Sequence, residues 1–312
     1  MKILRPIVVT DTALISCTIP ENDYAAWAVG TTYARGAFVI SAGSHTVYRS
    51  LQAGNVGHNP DTEQAALADP LIDDPSPVQW QVISATNRWR LFDSKPSRRA
   101  TRADEITAVI APGVFVQGVA GFEISANSVT VTMEVAAVEV YARTVPMQDE
   151  SVVIDWFTYF TEPIAQLTEF VLTDLPAYGD AEITITATLT GGIVSVGQFV
   201  VGPIWSVGVT KIGGTGFSGI DFSFVEQDEF GDLTTVQRAA TRLSTFDVLL
   251  ENRNLLAFDT RMRSLRGGTA AVWIGDAGAS KAAVNYGFYR GYRNAYETND
   301  YSIISIEVQG IV

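Results

Sequence analysis

Trp80-Gln81-Val82-Ile83-Ser84-Ala85-Thr86-Asn87-Arg88-Trp89-Arg90-Leu91-Phe92-Asp93 is where two kinds of sequence meet. Before it lies a short, aromatic, turn-rich segment; after it come some two hundred residues of β-patterned sequence. The two tryptophans are expected to serve different cores, Trp80 closing the first unit and Trp89 opening the second. From this hinge the chain divides into an N-terminal strand segment (1–20), a small unit (21–84), a β-sandwich (85–205) and a C-terminal sheet with one helix (206–312).

The composition supports packed cores. Of the 312 residues, 47% are hydrophobic and only 18% charged, which is globular and long enough for two or three domains. The 26 glycines and 10% aromatics lean towards strands and turns. No apolar run reaches the roughly 18 residues of a membrane span, and the N-terminus alternates too much for a signal peptide. Cys17 is the single cysteine, so no internal disulfide is expected and its thiol reads as a small apolar group. A net charge of −13 argues against general nucleic-acid binding. The basic run Lys95-Pro96-Ser97-Arg98-Arg99-Ala100-Thr101-Arg102 is the exception, read as a solvated or subunit-contact loop rather than a phosphate site.

Residues 1–19 suggest one or two strands that cannot fold alone and that add to a sheet formed later, since edge strands need cover. Residues 24–84 carry Trp27, Tyr33, Gly36, Val39, Gly43, Tyr48 and Trp80 in an aromatic-and-turn order. So small a unit relies on large rings for burial. His45 and His58 lack metal-ligand spacing and read as exposed loop residues. Residues 62–79, rich in Ala, Asp and Pro, read as a polar loop.

Over 104–204 the pattern alternates with period two: Ile106, Ala108, Ile110; Val129, Val131, Met133, Val135; Val138, Val140; Ile183, Ile185, Ala187, Leu189; and Phe199, Val201. Turn residues separate these sets, the signature of a sandwich or jelly roll. Asp155-Trp156-Phe157-Thr158-Tyr159-Phe160 is either a core strand or a surface anchor, with core preferred. In 206–312, Gly214-Thr215-Gly216-Phe217-Ser218-Gly219 matches a dinucleotide-binding pattern, but a strand-like run follows where a helix is required, so no cofactor is expected. Asp228-Glu229-Phe230-Gly231-Asp232 reads as a hairpin turn. Leu255, Phe258, Met262 and Leu265 share one helical face, with Asn252 or Asn254 as cap and Gly267-Gly268 as stop. Strands follow at Ala271-Val272-Trp273-Ile274, around 286–292 and around 302–308.

Ala26-Trp27-Ala28-Val29-Gly30-Thr31-Thr32-Tyr33-Ala34-Arg35-Gly36-Ala37-Phe38-Val39, Val47-Tyr48-Arg49-Ser50, Asn59-Pro60 and Trp80 resemble the small chitin-binding carbohydrate-binding modules of families 5 and 12. That resemblance implies a compact three-stranded unit. It makes Trp27, Tyr33, Tyr48 and Trp80 the candidate glycan-binding residues, although Trp27, Tyr33 and Trp80 serve as well as core. It departs at Leu51-Gln52-Ala53-Gly54, where such modules expose tryptophans.

Residues 85–93, the stretch from Asp221-Phe222-Ser223 to Gln237-Arg238, and Ser305-Ile306-Glu307-Val308-Gln309-Gly310 resemble structural proteins of the tail of tailed bacteriophages. The sheet-plus-helix end resembles the ring-forming domain of tail-tube and distal tail proteins. This implies a virion protein of the tail tip or baseplate, made in the host cytoplasm. Its expected partners are other copies of itself in a hexameric ring, other tail proteins and host-surface glycan. No metal, membrane span or specific nucleic acid is expected. The expectation is a mainly β, non-enzymatic protein, with a saccharide-recognising adhesin as the alternative. A glycoside hydrolase would need two paired carboxylates; Asp155, Asp221, Glu226 and Asp228 are available, but sequence does not pair them.

Overall fold

A computed structural model describes the chain except residues 69–77, 150–152, 162–164, 228–229, 267, 276–282 and 312. The fold is mainly β. Its order of layers follows from which faces of each strand are apolar.

The alternating sets of residues 104–204 form an antiparallel five-stranded sheet. Its spatial order is Leu14–Cys17, Ala100–Ile110, Glu182–Val196, Ser128–Val135, Val138–Pro146. Ile106, Ala108, Ile110, Val129, Val131, Met133, Ile183, Ile185 and Ala187 all point into one core, as a two-residue period demands. A three-stranded sheet, ordered Phe170–Leu172, Gly118–Phe122, Gln198–Gly202, closes that core from the other side. The result is the expected sandwich.

The three-stranded sheet has no polar face. All five residues of Gly118–Phe122 and of Gln198–Gly202 are buried. Val119, Phe199 and Val201 point into the sandwich core, whereas Ala120, Phe122 and Val200 point into a second cluster with Leu4, Val272 and Tyr286. The rings of Phe122 and Tyr286 stack across this junction at 4.9 Å.

Behind it stands an antiparallel seven-stranded sheet. Its order is Ile204–Ser206, Lys2–Leu4, Ala271–Ile274, Val284–Tyr296, Tyr301–Gly310, Ala240–Glu251, Val209–Asp221. The helix Leu255–Ser264 packs Phe258 and Met262 onto its far face, with Leu265 just beyond. The 3-4-3 spacing seen in the sequence is therefore a real helical stripe. Asn254 caps it without a side-chain bond. Asn252 instead receives the Ser302 hydroxyl at 2.5 Å and donates to the Thr298 and Asn299 carbonyls.

The N-terminal segment is split between layers. Lys2–Leu4 is an inner strand of the seven-stranded sheet, and Leu14–Cys17 is an edge strand of the sandwich. Ile204–Ser206 belongs to the seven-stranded sheet as well, across the expected boundary at residue 205. Burial raises the Cys17 thiol above its ordinary value, so it is protonated at neutral pH.

Three expectations need correction. Residues 60–68 form a helix, Pro60–Ala68, where a polar loop was expected. The Asn59 side chain accepts the Asp61 N–H at 2.9 Å, proline occupies the first helical position and alanines follow. Residues 69–77 lie outside the described residues. Second, Trp156–Thr161 is a short helix with every described ring exposed, neither a strand nor core. Asp155 starts it by accepting the Thr158 N–H at 2.8 Å. Third, Trp89 does not open the sandwich core. It stacks on His45 of the first unit at 4.1 Å and meets Phe92 edge-on, while Leu91 enters the core.

Between residues 224 and 236 the expected hairpin is present, Phe224–Gln227 pairing with Leu233–Val236; its 228–229 portion lies outside the described residues. Gly214 to Gly219 run within the strand Val209–Asp221, not into a helix. Among the basic residues of 95–102, Arg99 pairs with Glu123, Arg98 bonds the Ile83 carbonyl and Arg102 bonds the Glu105 carbonyl.

Gly202 tests the layer order. A Cβ there would sit 1.8 Å from the Arg5 carbonyl oxygen, which is backbone and cannot swing away. Gly202→Ala is expected to destabilise the protein by about 1–3 kcal/mol through overpacking. A lowered urea midpoint would show this; an unchanged one would contradict the close approach.

Candidate functional site

The unit preceding the sandwich is built on three antiparallel strands, Phe38–Ser41, Thr46–Ser50 and Trp80–Ala85. Its core is Tyr33, Val39, Tyr48 and Trp80, with Trp27 and Ala37 packed against it. Trp80 is the centre. Tyr33 meets it edge-on at 5.2 Å, and its indole N–H donates to the His58 carbonyl at 2.9 Å. Glu63, on the helix Pro60–Ala68, accepts the backbone N–H groups of Gln79 and Trp80 at 2.8 and 2.9 Å.

These placements decide what the four sequence-derived candidates offer a ligand. Tyr33, Tyr48 and Trp80 are buried, so their ring faces belong to the core. Trp27 is half-buried and its indole nitrogen is covered. The physical reason is size: a unit this small spends its largest rings on its own interior.

A different set of side chains reaches solvent together. Register places Phe38 opposite Arg49, and Arg49 opposite Gln81, so the three form one row across the sheet. All three are exposed. Tyr24 lies flat on Phe38, centroids 5.0 Å apart and planes 18° from parallel, with Tyr24 44% and Phe38 39% exposed. This row presents an aromatic surface beside a guanidinium and a carboxamide. Its chemistry suits the apolar face of a sugar ring, with donors and an acceptor for hydroxyls at its edge. Sequence reading passed over Phe38 although the signal was there: with Val39 assigned inward, alternation sends Phe38 outward.

Asp61 holds the turn of this sheet. It accepts bonds from Ser44 at 2.6 Å, Tyr48 at 2.9 Å and Ser41. Burial works to raise its carboxyl, but the Ser41, Ser44 and Tyr48 hydroxyls outweigh it and hold it below the ordinary aspartate value. The Tyr48 phenol moves the other way, raised first by burial and then by Asp61.

His45 fastens the unit to the rest of the chain rather than standing free in a loop. Its Nδ1 lies 3.0 Å from Glu21 and its Nε2 3.0 Å from Asp11. Glu21 also accepts the Thr86 hydroxyl at 2.9 Å. His58 is exposed.

The carboxylates named for a hydrolase lie on different elements. Asp155 starts the aromatic helix, Asp221 ends an edge strand and Glu226 lies in the exposed hairpin, while Asp228 is outside the described residues. Hydrogen bonds from Thr158 lower the Asp155 carboxyl, and those from Ser223 lower that of Asp221, as for capping groups. Among the described residues no group of three or more His, Cys, Asp or Glu is arranged to hold a metal ion. Among the described helices none is long and apolar enough to cross a membrane.

No known protein family and no curated protein matches the sequence. Among solved structures, a chitosan-binding module derived from a chitosanase/glucanase of Paenibacillus sp. IK-5, in the form of a selenomethionine-labelled point mutant, is similar. It shares 17% identity and covers 37% of this chain and 83% of its own, with a TM-score of 0.25.

The Asp61 arrangement has a pH consequence. A carboxyl lowered in the folded unit contributes stability that is complete above its unfolded value of about 3.9. That contribution is lost as pH falls through the lower folded value. Trp80 fluorescence is expected to report acid loosening of this unit below about pH 4, and Asp61→Asn is expected to weaken the unit at neutral pH and flatten that acid dependence. An unaltered acid profile in Asp61→Asn would contradict the assignment.

Proposed function

We propose that this chain is a non-catalytic structural component of a bacteriophage tail tip or baseplate. In this reading it assembles with copies of itself into a ring and carries the 21–84 unit as an accessory contact for host-surface saccharide. One observation carries the assembly reading. The strand Val209–Asp221 forms an edge of the seven-stranded sheet and bears exposed Ile212 and Phe217. It leads into the hairpin whose Phe224, Val225, Leu233 and Val236 also face solvent. An edge strand left unpaired, with apolar side chains exposed on it, invites pairing with another chain, and a two-stranded hairpin is marginal without cover. The tail assignment draws on the resemblance of residues 85–93, 221–238 and 305–310 to tail structural proteins.

The expected result is that the full-length protein sediments as a closed oligomer. Ile212→Lys with Phe217→Lys is expected to leave circular dichroism unchanged while shifting the protein to monomer, because charges on an edge strand oppose pairing. An oligomer that ignores these charges would contradict the edge reading.

The alternative, an adhesin that grips cell-surface saccharide, is favoured by the Tyr24–Phe38 pair with Arg49 and Gln81 beside it. Chito-oligosaccharide titration is the test. Phe38→Ala is expected to weaken binding about tenfold or more with the fold intact. Trp80→Ala is expected to unfold the unit, at about 3–5 kcal/mol. Undiminished binding by Phe38→Ala would move the site elsewhere.

A further inference from the structure

The short helix Trp156–Thr161 lies in sequence between Gln148–Asp149 and Ala165–Gln166, which pair as a short two-stranded neck. Met147 and Leu167, at the base of that neck, pack in the sandwich core. The rings of the helix are exposed to an unusual degree: Trp156 78%, Phe157 74%, Tyr159 60% and Phe160 76%. They already lean on one another, Tyr159 against Phe160 at 5.1 Å and Trp156 against Phe160 at 6.3 Å. A side chain of this kind covers about 150–250 Å², so the four offer on the order of 500 Å². That is close to the largest apolar patch a monomer leaves bare, about 300–600 Å², and over half of the ~800 Å² per partner in a standard interface.

The charge flanking this tip in the sequence is of one sign: residues 144–168 hold four Asp or Glu and no Lys, Arg or His. An anionic bilayer attracts basic segments, so it is the wrong surface for this tip. The fitting surface is apolar with a basic rim, and the same chain has one. Between the helix Leu255–Ser264 and the seven-stranded sheet lies a groove of about 200 Å³ floored by Ile3, Leu250, Phe258 and Met262. A cavity of about 150 Å³ takes one benzene ring, so this groove has room for one aromatic side chain. Arg261 lines it and, with Arg5, lies over the Trp205 ring, 5.7 and 5.8 Å from its centroid. Of the other arginines on this helix and its approach, Arg253 pairs with Glu251 and Arg263 with Asp259.

We infer that the aromatic tip of one copy docks into the arginine-rimmed groove of a second copy. An aromatic anchor in an apolar pocket within a charged rim is the usual centre of a strong interface. Rings that are already in mutual contact lose little freedom on docking. Because tip and groove are different surfaces, each copy supplies both, and the contact repeats head to tail until it closes or extends. This inference rests on the self-assembling reading but uses a contact other than the sheet edge.

The test uses the full chain in a Cys17→Ser background. One preparation carries Thr161→Cys, at the end of the tip helix; the other carries Ala257→Cys, exposed at the groove mouth. Oxidation of the mixture is expected to give a disulfide-linked dimer that neither preparation gives alone. Adding Trp156→Ala and Phe160→Ala to the first is expected to cut the yield about tenfold or more. No mixed disulfide, or a yield indifferent to those ring losses, would overturn the inference. So would a monomeric chain whose tip binds vesicles of phosphatidylcholine and phosphatidylglycerol. Ile212→Lys with Phe217→Lys separates the two contacts. If it abolishes the oligomer while the mixed disulfide still forms, the edge reading survives with this one. A persistent oligomer lacking the mixed disulfide faults this inference alone.

Discussion

Burial of one three-stranded layer on both faces holds this molecule together. Gly118–Phe122 and Gln198–Gly202 send alternate side chains into two different cores. Each fully buried Val or Phe contributes about 1.5–3 kcal/mol from apolar area, so a few such residues strongly bias how the layers join. The N-terminal segment reinforces this junction: Lys2–Leu4 completes the seven-stranded sheet, Leu14–Cys17 completes the sandwich, and Arg5 and Ile7 bond the Pro203 and Val201 carbonyls between them. Neither sheet is whole without residues distant in sequence.

The 21–84 unit is joined differently. Its core is its own, and its link to the rest is polar: His45 between Glu21 and Asp11, Thr86 on Glu21, and the stack of His45 on Trp89. The sheets supply the frame and the unit supplies a surface.

Much of this was legible in the sequence, for identifiable reasons. Two-residue alternation at 106–110, 129–133 and 183–187 marked half-buried strands, and the spacing of Leu255, Phe258 and Met262 marked a packed helix. Trp80 was rightly expected to close the first unit. What stayed hidden lacked periodicity. The helix Pro60–Ala68 buries only Pro60, so no apolar stripe announces it. The aromatic tip looked like core because hydrophobic content says what a residue prefers, not whether the chain can cover it. The glycan candidates came from the resemblance to chitin-binding modules, but the core takes Tyr33, Tyr48 and Trp80, and the pair left outside is Tyr24 and Phe38.

The exposed edge strand, the bare hairpin and the tip share one property: each is an apolar surface that the described part of this chain does not cover. The self-assembly proposed above would cover all of them with one partner. Negative-stain electron microscopy of the purified full-length protein tests that claim most directly. The account requires particles of uniform rotational symmetry, with the 21–84 unit repeated around the ring. Monodisperse single copies at concentrations well above those of assembly in a cell would contradict it.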